Sequence, residues 1–141
     1  MQRINLWLNP KFDPTGFHVV KKGGDISKYM TGGTLANTRG EYIDLPFACE
    51  VGVEYVCTCR IVSNTTNKAI GIFSGGTGEY PSAQTVGKHT IRFTSIANDT
   101  RLAVPSGMAI SELSVEAADT YDAALGGGLP GFFTGDTMPR D

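Results

Sequence analysis

The chain has 141 residues, 40% hydrophobic and 18% charged, with a net charge of -2 and a pI near 5.6. This is the size of one domain with apolar material for one core. The acidic balance, with Lys21-Lys22 as its densest basic run, excludes a nucleic-acid binder, and no run approaches the roughly 18 apolar residues that span a membrane as a helix.

Eighteen glycines and seven prolines punctuate the chain, and short β-rich runs between them mark a sandwich or barrel. Ile4 to Leu8 and Gly16 to Lys21 read as strands, followed by a loop at Gly32-Gly33. Tyr42 to Phe47 alternates, with Ile43, Leu45 and Phe47 on one face. Val51 to Ser63 is the strongest strand. Val51, Val53, Tyr55, Cys57, Cys59 and Ile61 share one side, and Glu50, Glu54, Thr58 and Arg60 the other. Ile70 to Phe73 leads into a turn at Ser74 to Gly78. Lys88 to Ser95 places Ile91 and Phe93 inward, and Leu102 and Val104 mark a further strand. Met108 and Ile110 have one parity and Leu113 and Val115 the other, so the alternation predicts a β-bulge near Ser111-Glu112. These runs predict about eight strands in an all-β, two-sheet antiparallel β-sandwich, a jelly roll, over residues 1–116.

Residues 117–141 read as a Gly-rich, extended C-terminal arm. Its hinge is Gly126-Gly127-Gly128, and Leu129, Phe132, Phe133 and Met138 are the apolar residues that would dock it during assembly. Helical periodicity is not evident. Met1 to Pro10 lacks the apolar run of a signal peptide, which predicts a protein kept in the cytosol or released by lysis.

The sequence offers little catalytic chemistry. There is no P-loop ending after Ser74 to Gly78 and no Gly-x-Ser-x-Gly elbow. Carboxylates such as Glu41, Asp44 and Glu54 fall on strand faces, where they are ordinarily solvated. Cys49, Cys57 and Cys59 are odd in number, which argues against a disulfide framework, and Cys57 and Cys59 share one strand face as small buried hydrophobes. The expectation is therefore a protein that is not an enzyme. Aromatic rings are the remaining lead for ligand binding: Tyr80 beside a glycine-rich loop, Tyr42, and Trp7, for which a core position competes.

Asn5-Leu6-Trp7-Leu8-Asn9-Pro10-Lys11-Phe12 resembles the opening of galactose-binding-like jelly rolls, which include many carbohydrate-binding modules. Val51 to Cys57, Val86 to Thr94 and Ile110 to Glu116 are similar to later strands of those domains. Glu116, Asp119-Thr120-Tyr121 and Gly131-Phe132-Phe133-Thr134-Gly135-Asp136-Thr137 resemble the tail of minor tail proteins from phages of actinobacteria, with Thr134 where an Asp is usual. Those relatives continue further, so the short end here predicts a stand-alone product.

The resemblance implies a virion structural protein, either a minor tail or fibre component or a capsid decoration protein, assembled in the bacterial cytoplasm. Its partners would be other virion proteins, copies of itself and host-surface glycan. The alternative is a stand-alone carbohydrate-binding adhesin. No cofactor is expected beyond a structural Ca²⁺, which related sandwiches often hold between the N-terminal segment and the last strand. Asn9, Asp13 and Glu116 would be its oxygen ligands here.

Overall fold

The computed structural model describes residues 2–7, 12, 20–21, 24–25, 27–75, 82–129 and 137–139. In chain order the strands are β1 (Gln2–Ile4), β2 (Val20–Lys21), β3 (Gly24–Asp25), β4 (Met30–Thr31), β5 (Thr34–Ala36), β6 (Ile43–Phe47), β7 (Glu54–Asn64), β8 (Ile70–Ser74), β9 (Ser82–Ala83), β10 (Gly87–Thr94), β11 (Thr100–Val104), β12 (Met108–Ala117) and β13 (Thr137–Pro139). A 3-10 turn covers Ser27–Tyr29, and a helix, α1, covers Ala118–Gly126. A five-stranded sheet runs β10-β7-β12-β5-β4 and a four-stranded sheet β6-β11-β8-β9. Every pairing is antiparallel, so the domain is an all-β, two-sheet sandwich of jelly-roll type. Two-residue edge strands such as β4 and β9 raise the strand number above the eight expected. Short edges of this kind limit unwanted pairing.

The alternation places the core as expected. Tyr55, Cys57, Cys59, Ile61, Ile91 and Phe93 are buried from the five-stranded sheet. Ile43, Leu45, Ile72 and Leu102 meet them from the four-stranded sheet. The Tyr55 and Phe93 rings stack at 5.8 Å. The predicted bulge is present: the β12–β7 register shifts between Ser111 and Ser114, and Glu112 takes φ 51°. The extra residue lets Met108, Ile110, Leu113 and Val115 all face inward.

Two strand expectations need correction. β7 begins at Glu54, and Val51 is 57% exposed, because the chain turns at Gly52 with φ 88°, a conformation that favours glycine. Val53 is only partly buried against the core. Thr58, expected on a solvated face, is buried, with its hydroxyl 2.6 Å from that of Ser114 on the neighbouring strand.

A further correction concerns the start of the expected arm. Ala118–Gly126 is helical, and Ala118 and Tyr121 pack on Val56 across the outer face of β7. The buried side of α1 is made of Ala118, Thr120, Tyr121 and Ala124. Residues this small or polar hide the helical period from a hydropathy reading. At the C-terminal end of α1, the Leu129 amide donates to the Ala124 carbonyl at 2.9 Å. Phe132 and Phe133 lie outside the described residues. Met138 pairs opposite Arg3 in the β1-β13 ribbon.

The N-terminal segment is laid along β12. The Leu6 amide donates to the Val115 carbonyl at 2.7 Å, and the Asn5 side-chain oxygen accepts from the Val115 amide at 3.0 Å. Arg3 is fully buried and its Nε lies 3.1 and 2.9 Å from the two oxygens of the buried Glu116 carboxylate. The Thr120 hydroxyl also donates to Glu116, at 2.9 Å.

All three cysteines are free and buried. Burial pushes the Cys49 thiol from 9.0 up to about 12, and a hydrogen bond with Cys59, followed by burial, raises that of Cys57. All three thiols are shielded by burial, so none should be alkylated in the folded protein at neutral pH, and all three should react once it is denatured without reductant. A fast-reacting thiol in the native state would contradict this placement. A raised thiol pKa stabilises the fold below the unfolded value, and that stability is lost as pH rises. For Cys49 the loss runs from 9.0 toward about 12.

Candidate functional site

The outer face of the four-stranded sheet gathers polar and aromatic side chains that local sequence keeps apart. Inward residues on β6, β11 and β8 are Leu45, Leu102 and Ile72, so their neighbours Asp44, Arg101 and Phe73 point the other way. Register brings them together: Arg101 lies opposite Phe73, and Ala103 opposite Asp44 and Gly71. Ala103 on the central strand and Gly71 beside it carry little or no side chain. A depression of about 200 Å³ results, lined by Tyr42, Asp44, Phe73, Arg101 and Ala103.

The guanidinium at its centre is held from several sides. Arg101 Nε is 3.5 Å from Asp44, and its terminal nitrogen is 3.0 Å from Asp99 and 3.1 Å from the Gly75 carbonyl. Its carbon lies 5.5 Å from the Phe73 ring centroid. Arg101 and Asp44 are 12% and 14% exposed, so both remain reachable while their positions are fixed. At the rim Tyr42 is 41% exposed, and Lys68 Nζ sits 5.7 Å from its ring centroid. The pair Arg101–Asp44 offers a fork of donors and a carboxylate acceptor beside two ring faces. Arg101 and Lys68 stand against Asp44 and Asp99, so these four groups balance in charge.

Of the ring candidates, Tyr42 is at this pocket. Trp7 is not a ligand platform: it is fully buried, 5.7 Å from Phe12 and 6.5 Å from Phe47 between ring centroids, and fills core. Tyr80 lies outside the described residues. Of the proposed calcium ligands, Asn9 and Asp13 also lie outside them, and Glu116 is engaged by Arg3 and Thr120. Among the described residues, no group of three or more His, Cys, Asp and Glu could hold a metal ion. Sequence reading missed Arg101 and Phe73. Their parity, opposite to that of Leu102 and Ile72, marked them as outward-facing, but not as neighbours.

No known protein-family model matches the chain, and no curated protein sequence is significantly similar to it.

Proposed function

We propose that this sandwich is a non-catalytic saccharide-binding domain of a bacteriophage particle, a structural protein of tail, fibre or capsid surface that contacts host-surface glycan. The observation that carries the binding reading is the pocket at Tyr42, Asp44, Phe73 and Arg101. A pyranose has an apolar C–H face and a polar rim. It is matched by an aromatic face beside fixed donors and acceptors, and a charge-balanced site suits a neutral sugar. The resemblance of Asp119 to Tyr121 and of Gly131 to Thr137 to phage tail proteins supports the virion setting, and that of the opening Asn5 to Phe12 to carbohydrate-binding jelly rolls supports the sugar reading. A stand-alone adhesin would use the same pocket.

Screening the full chain on a glycan array, followed by calorimetry with the best saccharide, tests the reading. Tyr42→Ala and Asp44→Ala should each weaken binding about tenfold or more, equivalent to about 1.4 kcal/mol. An unchanged Kd in both variants, or an array with no bound saccharide, would refute it.

A further inference from the structure

Among the described residues the two ends of the sandwich differ in charge, and each carries exposed apolar residues on strand ends and loops. One end consists of the loops 48–53 and 95–99 and the turn from β12 into α1. The Gly52 amide donates to the Ser95 carbonyl at 2.7 Å, which sets Val51, 57% exposed, beside Ile96, 56% exposed. Ile4, also exposed, borders a pocket of about 200 Å³ at this end, with Glu50 and Thr120 in its wall. Glu50 and Asp119 are exposed here and have no ion-pair partner among the described residues. Glu54 and Asp99 add negative charge, offset by Arg92 and Arg101.

The opposite end consists of loops 37–42, 65–69, 84–86 and 105–107. Val86 is 65% exposed and follows on from the register in which Gly87 faces Ile61, so it adjoins Val62, which is 45% exposed. Lys68 and Lys88 are exposed here, likewise without an ion-pair partner among the described residues, while Arg39 is matched by Glu41.

Both ends are ordered in advance. At the acidic end the buried Ser74 hydroxyl accepts from the Ile96 and Ala97 amides at 2.9 and 3.0 Å, fixing the loop that displays Ile96. At the basic end Asn37 donates to the Val104 carbonyl at 2.8 Å, and the Thr65 amide to the Gly107 carbonyl at 2.9 Å. Gly107 has φ 91°, and a Cβ there would stand 2.9 Å from the Thr65 hydroxyl oxygen, so this turn fits its neighbour closely. An exposed valine or isoleucine on a strand or a fixed loop loses little entropy on docking.

We infer that the acidic end of one molecule docks on the basic end of a second copy, with Val51 and Ile96 against Val62 and Val86 and with Glu50 and Asp119 facing Lys68 and Lys88. Like ends repel and unlike ends attract, so charge selects head-to-tail contact over head-to-head. A contact between different surfaces of identical molecules does not close at two copies. It continues into a ring or a filament. This inference goes beyond the saccharide reading and does not depend on it.

Sedimentation velocity of the full chain at rising, sub-millimolar concentrations tests it. The expected result is a mean mass that climbs past the dimer and falls when salt is added. Val86→Asp and Ile96→Asp alter exposed side chains at opposite ends, and thermal melts check that both stay folded. Each variant alone should associate at least about tenfold more weakly than the parent. Mixed one to one, they retain one intact acidic and one intact basic end between them, and should form a dimer that grows no further. A parent that stays monomeric, a parent mass that stops at the dimer, variants that associate like the parent, or a mixture that stays monomeric would each overturn the inference.

Discussion

Replacing Arg3 with alanine should destabilise the domain by about 3–5 kcal/mol, because it leaves the Glu116 carboxylate buried without its cation. Arg3 and Glu116 have side chains 0% and 1% exposed, so water cannot substitute for the lost guanidinium. The same pair ties the N-terminal strand to the end of β12, where the Leu6 amide bonds to Val115. Loss of the cation therefore also loosens the segment that brings Trp7 into the core. Glu116→Gln should cost a comparable amount, since it strands the buried Arg3 guanidinium without a counter-charge even though the amide oxygen still accepts from Thr120. The double variant Arg3→Met/Glu116→Leu should recover much of the loss, as apolar replacements of buried ion pairs often do. Urea unfolding of the three proteins checks the order. A double variant no more stable than Arg3→Ala would show that the pair contributes through something other than mutual charge compensation.

Leu102→Ala should cost about 2–5 kcal/mol through lost burial and the cavity left behind. Leu102 is fully buried on β11, an inner strand with a partner on each side in the four-stranded sheet. It faces Leu45 and Ile72 in register, so no edge can relax inward to fill the space. For a chain of this length the melting temperature should fall by roughly 10 °C. The comparison variant is Val62→Ala, whose side chain is 45% exposed and which should change stability by about 0.5 kcal/mol or less. Equal losses in the two variants would contradict the placement of the core.

Much of this architecture was legible because period-2 alternation is a direct readout of which face is buried. The conflict of parity between Ile110 and Leu113 marks the bulge in the sequence itself, since one extra residue is the simplest repair of a broken alternation. Cys57 and Cys59 were placed inward by the same argument. Helix α1 was not legible, because Ala118 and Ala124 bury little apolar area and Tyr121 supplies the single large contact on Val56. Trp7 was ambiguous between Leu6 and Leu8, because that run shows no alternation to choose a face. Its position depends on Asn5, whose side chain bonds to both the Val115 and Trp7 amides. The pocket was half legible. Tyr42 stood out as an aromatic opening a predicted strand, but its neighbours Phe73 and Arg101 arrive from strands far away in sequence, through pairings that no local pattern specifies.

The saccharide-binding reading makes a spatial claim, and amide chemical-shift mapping during titration with an array-selected saccharide tests it most directly. The account predicts shifts concentrated at Tyr42, Asp44, Phe73, Arg101 and Ala103, with the buried Trp7 and the distant Glu50 unmoved. Saturable shifts centred elsewhere on the sandwich, with these five residues unchanged, would contradict it.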